Sequence, residues 1–171
     1  MTETRFVADV MLGRLARWLR ALGYDTDYFR DATDARLLGI ALREGRQLLT
    51  RDTALAARAG TAGLLVRAED LDEQIREVMT RYGLSSRAPL SRCLECNGAL
   101  TRRRPTDVRD RVPPYTLATQ SAFWECADCG RVFWAGTHAR GILDRLQPYL
   151  DGADIHPQAG GATLDARPPT V

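Results

Sequence analysis

Residues 47–59 read QLLTRDTALAARA, a short apolar run followed at once by an alanine-rich segment. The first part is typical of a buried strand and the second of a helix, with a polar turn between them. The same order recurs on both sides, with strands predicted at 5–8, 26–29 and 63–66 and helices at 12–22, 37–45 and 70–82. Strands that alternate with helices require crossover connections. The sequence therefore predicts an α/β fold, a parallel sheet flanked by helices.

The character of the chain changes after this alternating region. We expect the α/β domain to occupy residues 1–84 and a linker to follow at 85–89. Short strands, turns and paired cysteines then predict a small zinc ribbon at 91–147. Residues 151–171 are rich in Gly, Pro and Ala, with few large apolar side chains, so we expect a disordered tail.

Composition excludes a membrane-spanning protein and says less about partners. The chain of 171 residues has no run near the roughly 18 apolar residues of a membrane helix. Its start lacks the apolar core of a signal peptide, so we expect a cytoplasmic location. All 24 basic residues are Arg, and the net charge is +2. Arg suits phosphate recognition, but genomic base composition would give the same bias, and charge alone leaves both explanations open.

The only four cysteines are arranged as two Cys-x-x-Cys pairs, Cys93 with Cys96 and Cys126 with Cys129. Two intervening residues let both sulfurs of a pair approach one metal, and four thiolates form the closed tetrahedral set of structural zinc. Glycines follow each pair and are expected to supply the left-handed backbone of the turns. Two disulfides would need an oxidising compartment, and a redox pair would not need a second pair. We therefore predict a structural Zn²⁺ site without catalytic function.

Three aspartates stand at or near the expected carboxyl ends of strands: Asp9, Asp34 and Asp52. In an open α/β sheet this edge forms the crevice that binds ligands. Carboxylates that converge there would repel one another without a cation, and their hard oxygens suit Mg²⁺ or Mn²⁺. Each could instead cap the helix that follows it, accepting backbone N–H groups of the first turn. The spacing alone leaves metal ligand and cap as alternatives.

Arginines on the first helix could place positive charge near this edge. Arg14, Arg17 and Arg20 follow Asp9 by one or more helical turns. They could bind phosphates beside a metal site, or they could form an ordinary solvated helix face. The sequence does not decide between the two.

Taken in order, three motifs resemble those of one known family. They are Phe6-Val7-Ala8-Asp9 with the Gly- and Arg-containing helix of residues 11–20, then residues 48–52, then the cysteine pairs with residues 133–138. Together they resemble the PIN-like RNase domain found at the C-terminus of Mut-seven-type exonucleases, over residues 5–146. The resemblance implies a PIN-like α/β fold, single-stranded RNA as substrate and a divalent-metal nuclease site. It assigns Asp9, Asp34 and Asp52 as the catalytic acids, with Glu69 or Asp70 as a loose fourth. PIN domains often pair, so a homodimer is possible.

The resulting hypothesis is a metal-dependent ribonuclease. Arg14, Arg17 and Arg51 would bind phosphate near the acids, and the ribbon would hold the strand through Arg102, Arg103, Arg104 and His138. A structural role for His138 at a helix start is an alternative. So are two other functions for the chain: a non-catalytic RNA-binding or ribosome-associated module, and a protein-interaction adaptor that uses the ribbon.

Overall fold

The computed structural model describes residues 3–85 and 88–150. The described residues separate into two compact units, one of 3–20 with 24–84 and the other of 21–23 with 85 and 88–150. The predicted disordered tail lies outside the described residues. No helix in the described ranges is long and apolar enough to cross a membrane.

Strands and helices alternate strictly in the first unit, in close agreement with the sequence-based prediction. A single 3-10 turn, Val10–Leu12, joins the first strand to the first helix. The elements are β1 (Phe6–Ala8), α1 (Gly13–Ala21), β2 (Thr26–Tyr28), α2 (Asp34–Glu44), β3 (Gln47–Thr50), α3 (Thr53–Ala59), β4 (Gly63–Leu65) and α4 (Leu71–Tyr82).

The four strands form one parallel sheet in the order β2-β1-β3-β4, which confirms the predicted α/β class. Phe6 of β1 lies between Thr26 of β2 and Gln47 of β3. The chain moves from β1 outward to β2 and then returns past β1 to form β3 on its other side. In open α/β sheets such a reversal marks the place where ligands bind, and here it lies between the carboxyl ends of β1 and β3. We refer to this place as the β1–β3 crevice.

Helices cover the sheet because strand residues on both faces are apolar. Val7 and Leu48 are register partners on one face, and they pack against α2 and α3 through Leu37, Ile40 and Leu55. Phe6 meets the rings of Tyr24 and Tyr82 edge to face. Burial on both faces explains why β1 and β3 are apolar runs without alternation.

A buried arginine closes the opposite, amino-terminal edge of the sheet. Nη1 of Arg46 lies 2.6 Å from Asp25 and donates to the Phe6 carbonyl, while Nε lies 2.9 Å from Glu44 and 3.1 Å from Asp27. Burial lowers the pKa of Arg46, but the hydrogen bonds and charges of these acids outweigh burial and raise the pKa. The pairs offset the cost of removing the guanidinium from water.

The second unit contains a three-stranded antiparallel sheet in the order β5-β6-β7, built from β5 (Leu100–Arg103), β6 (Phe123–Cys126) and β7 (Val132–Trp134). Helix α7 (Thr137–Leu146) follows it. Two short helices not predicted from the sequence, α5 (Pro105–Val108) and α6 (Pro114–Thr119), lie between β5 and β6. Val108 and Leu117 of this insertion pack on Phe123, so they cover one face of the sheet.

Candidate active site and cysteine metal centre

Asp9 extends β1 by one residue and points its carboxylate into the protein. Its backbone N–H donates to the Leu49 carbonyl at 2.9 Å, and the residue is only 6% exposed. The side chain makes no cap bond to the 3-10 turn that follows. Oδ2 accepts a 2.7 Å hydrogen bond from the Thr50 hydroxyl, and no described residue forms an ion pair with Asp9. A buried carboxylate with one neutral donor is poorly compensated by the protein itself.

Thr50, which is not among the sequence-predicted site residues, connects two of the three aspartates. It is the last residue of β3 and is fully buried. Its hydroxyl donates to Asp9 and accepts a 2.9 Å hydrogen bond from the backbone N–H of Asp52. The sequence feature that could have identified Thr50 as a site residue was its hydroxyl at an otherwise apolar strand end, two residues before an aspartate.

Asp52 is a helix cap, as one of the two sequence alternatives proposed. Its Oδ1 accepts a 2.8 Å hydrogen bond from the Leu55 backbone N–H, in the first turn of α3. Oδ2 has no bond to any residue in the described ranges. Capping and metal binding are therefore compatible here, since the two oxygens of one carboxylate can serve different partners.

Asp34 shares no hydrogen-bonding partner with Asp9 or Asp52 among the described residues. Thr33, not Asp34, caps α2, with its hydroxyl accepting from the Arg36 N–H at 3.3 Å. Asp34 is the first residue of the helix, and its Oδ2 lies 3.3 Å from Nη1 of Arg58. Both side chains of that pair are about half exposed, so the ion pair is weak.

The two candidates for a fourth acid have different surroundings. Oδ1 of Asp70 caps α4 by accepting from the N–H groups of Asp72 and Glu73 at 2.8 and 3.3 Å. Glu69 is largely exposed and lies 3.8 Å from Nη2 of Arg51. Neither carboxylate bonds to Asp9, Asp34 or Asp52, so the fourth acid stays a prediction.

The four cysteine sulfurs form a compact cluster that can hold a metal such as zinc. Among the described residues, they are the one set of three or more His, Cys, Asp or Glu whose ligand atoms all lie within 4.8 Å of one another. The Sγ atoms of Cys93 and Cys129 are 3.8 Å apart, and those of Cys96 and Cys126 are 3.3 Å apart. A zinc–sulfur bond of about 2.3 Å places the sulfurs of a tetrahedron about 3.8 Å apart. The cysteines are free, which excludes the two-disulfide alternative in this structure.

The pKa values of the thiols are shifted in different directions by their surroundings. Burial raises the pKa of Cys93, and burial together with the neighbouring sulfurs raises the pKa of Cys96. Burial raises the pKa of Cys129, but the hydrogen bond from the Arg131 backbone N–H and those involving the other sulfurs lower it, and the net effect is a lowered pKa. Metal binding to such a set releases protons because thiolates are the ligands.

One detail of the turns differs from the prediction. After the first cysteine pair, Asn97 takes the left-handed conformation with φ of 74°, while Gly130 does so after the second pair with φ of 69°. Gly98 is needed for space instead, because a Cβ there would lie 2.7 Å from Sγ of Cys126 and 2.6 Å from Oδ2 of Asp128. Asn tolerates the left-handed region better than most residues, which explains the exchange of roles.

The candidate phosphate-binding arginines of the first unit are not equivalent. Arg14 and Arg17 are exposed on α1, and Arg51 is half-buried. Arg20 is buried and donates to the Thr26 carbonyl at 2.8 Å, so it holds α1 to β2 and is not available to a ligand.

The arginines at 102–104, at the end of β5 and the start of α5, also differ in their partners. Nε of Arg103 and Nη1 of Arg111 lie 2.7 and 2.6 Å from the two oxygens of Glu125, and they lower its pKa. Arg104 pairs with Asp107 of α5 at 3.1 Å. Arg102 is exposed and has no ion pair within the described residues. His138 lies in α7, and its side chain is outside the described part of the chain.

Comparison with known proteins agrees with these features. The family model of the Mut7-C RNAse domain matches residues 4–146, nearly the whole described chain. No curated protein and no solved structure gives a significant match. The family model covers both the sheet with its acidic edge and the module with four cysteines. The chain belongs to the Mut7-C RNAse domain family, a family of nucleases.

Proposed function

We propose that this protein is a metal-dependent ribonuclease that hydrolyses phosphodiester bonds of single-stranded RNA. The proposal rests mainly on Asp9, a buried carboxylate at the β1–β3 crevice that neither caps a helix nor pairs with a described cation. Burial of an unpaired carboxylate is costly, and such residues concentrate at functional sites.

The donor set fits Mg²⁺ or Mn²⁺. Oδ1 of Asp9 accepts no hydrogen bond from the described residues, and Oδ2 of Asp52 is likewise available. Thr50 holds these two aspartates on one side of the crevice. Hard carboxylate oxygens are the ligands that these ions prefer. When bound, the ion supplies a water nucleophile of lowered pKa and charge for the leaving oxygen.

The protein's own residues supply orientation and charge. Thr50 holds Oδ2 of Asp9 through its hydroxyl, which leaves Oδ1 without a hydrogen bond from the described residues. Arg14 lies on α1 and Arg51 directly follows Thr50 in the turn before α3, and both neutralise the phosphate there. Asp9, Asp34 and Asp52 do not form a ligand cluster among the described residues, so Asp34 would contribute to a metal site only if its carboxylate left the weak, half-exposed pair with Arg58.

The four-cysteine module holds structural zinc and contributes to RNA binding in this proposal. Four sulfurs complete a tetrahedral set, so the metal there has no position for water or substrate. Arg102 presents a positive charge from β5, and such contacts to phosphate weaken with added salt.

A second candidate function, a non-catalytic RNA-binding module, has its own support. Asp52 is used as a cap and Asp34 as an ion-pair partner, roles that need no metal. Under this alternative the acids have only structural roles and the arginines bind RNA.

The deciding experiment uses the full zinc-loaded chain with Mn²⁺ and an end-labelled single-stranded RNA. We expect Asp9→Asn and Asp52→Asn to lower the cleavage rate at least a hundredfold and to weaken Mn²⁺ binding. The electron paramagnetic resonance signal of free Mn²⁺ measures that binding. Asp144→Asn, an exposed residue of α7, is the control. Equal cleavage by the wild type and both variants would reject the nuclease proposal. RNA binding without any cleavage would favour the binding module.

A further inference from the structure

The 3-10 turn directly after Asp9 exposes two neighbouring apolar side chains. Val10 is 40% exposed and Met11 is 65% exposed. Only Leu42 and Tyr115 are other large hydrophobic residues with comparable exposure among those described. Single exposed apolar residues are common, but this pair lies immediately beside the buried acid of the crevice. Its position suggests contact with a substrate.

The turn that carries this pair is held firmly in place. Leu12 is buried, and its N–H donates to the Asp9 carbonyl at 2.8 Å. The Tyr28 hydroxyl donates to the Val10 carbonyl at 3.1 Å. The Tyr28 ring lies so close to Gly13 that a Cβ there would be 2.8 Å from Cζ. The exposed side chains therefore stand on a pre-organised support, which lowers the entropy cost of binding.

A positive charge stands beside the apolar pair. Arg14 follows Met11 by three residues, a spacing that puts both on the same face of a helical segment. Arg14 is exposed and forms no ion pair with a residue that the structure describes. Apolar surface next to a guanidinium matches a nucleotide, which offers the flat face of a base beside a phosphate.

We propose that Val10, Met11 and Arg14 form a nucleotide shelf, which binds one unpaired nucleotide of RNA next to Asp9. The base lies on Val10 and Met11, and the adjoining phosphate contacts Arg14. This shelf deepens the proposed ribonuclease function and rests on it. Contact with the face of a base does not read its hydrogen-bonding edge, so the shelf selects unpaired bases without selecting their identity. Two side chains are too small an area for a stable protein interface, which buries about 1,600 Å² in total.

The test measures RNA affinity in the full zinc-loaded chain carrying Asp9→Asn, by fluorescence anisotropy. The probes are a single-stranded oligoribonucleotide and an abasic oligonucleotide of the same length. Met11→Ser should weaken binding of the normal oligonucleotide about fivefold and leave the abasic one unchanged, while Met11→Leu should stay within about twofold. Arg14→Gln should weaken both probes and reduce the salt dependence by about 0.7 in log–log slope. Leu42→Ser and Arg43→Gln, exposed residues of α2, are the matched controls.

The outcomes separate the shelf from the function on which it rests. If Met11→Ser binds both probes like Leu42→Ser while the wild type cleaves RNA, the shelf is wrong and the nuclease proposal stands. An equal loss of affinity for both probes on Met11→Ser would also overturn the shelf, because a base contact needs a base. If Met11→Ser changes the oligomeric state rather than RNA affinity, the surface is a protein interface. If the wild type neither cleaves nor binds RNA, both proposals fall.

Discussion

The Thr50 hydroxyl donates to Oδ2 of Asp9 across the β1–β3 pair, at 2.7 Å and with both residues buried. No charged group in the described ranges pairs with this carboxylate. Its orientation in the crevice therefore depends on one neutral side chain from the neighbouring strand.

We expect Thr50→Val to lower the free energy of unfolding by about 1–3 kcal/mol, because it leaves a buried acceptor without its donor. Thr50→Ser keeps the hydroxyl and should lose less than half of that. Urea unfolding measures both. The loss should shrink when Thr50→Val is combined with Asp9→Ala, because the acceptor is then gone. Equal costs with and without Asp9 would show that the hydrogen bond does not stabilise the fold.

Substitutions of Asp52 should separate its capping role from its role in the proposed site. Asn is as good a cap as Asp, so Asp52→Asn should change unfolding by less than about 0.5 kcal/mol, whereas Asp52→Ala should cost about 1 kcal/mol. Both variants should lose RNA cleavage alike. Thr33→Ala, which removes the cap of α2, is the comparison for a stability loss at a helix start. Full cleavage activity of Asp52→Asn would show that Asp52 caps α3 and has no role in catalysis.

Zinc content should depend on Gly98. Gly98→Ala places a methyl group against Sγ of Cys126, so we expect bound zinc to fall from one ion per chain to well below half. Gly130→Ala strains only a left-handed turn and should cost about 1 kcal/mol with zinc retained. Elemental analysis after purification gives the zinc content. Fluorescence of Trp124, which is buried in β6 two residues before Cys126, should report unfolding of the module when a chelator removes the metal.

The arginines of β5 should differ in their effect on RNA. Arg102→Gln should weaken binding of single-stranded RNA and reduce the log–log salt slope by about 0.7, with unchanged thermal stability. Arg103→Gln should change affinity less, because Arg103 already pairs with Glu125. Titrations at several salt concentrations measure the slope. Equal slopes for both variants would show that the ion pair does not withhold Arg103 from phosphate.

Arg46 should be important for the stability of the first unit. Arg46→Met keeps an apolar stem but removes the guanidinium that pairs with Asp25 and Asp27, and we expect a loss of about 3 kcal/mol. Arg43→Met, at an exposed site on the preceding helix, should change stability by less than about 0.5 kcal/mol. Denaturant unfolding compares the two. A similar, small loss of stability at both positions would mean that the ion pairs of Arg46 do not offset the free-energy cost of burying these charges.

The sequence allowed prediction of every strand and helix of the first unit, because apolar periodicity and glycine stops are local signals. Strand order was not available from such signals, since β3 follows β2 in the chain but pairs with β1. Helices α5 and α6 were missed because four and six residues are too few to show a period.

For the candidate site, the sequence located the aspartates but not their bonding. Whether Asp9 or Asp52 caps a helix depends on side-chain direction, which spacing does not fix. The run of three arginines at 102–104 suggested one basic patch, but the pairing of Arg103 with Glu125 and of Arg104 with Asp107 depends on acids brought close by the fold. Thr50 was overlooked because a threonine at a strand end is ordinary until its partner across the sheet is known.

Asp9 and Thr50 are 41 residues apart in the chain. Synthesis from the amino terminus therefore delivers Asp9, α1 and β2 well before the strand that completes the crevice. Until that strand is made, Asp9 has neither its hydroxyl donor nor Asp52 beside it. The crevice forms only after a non-local pairing that is slow relative to local folding. The acidic pair therefore forms only once β3 has been synthesised, and fragments that end before β3 lack it altogether.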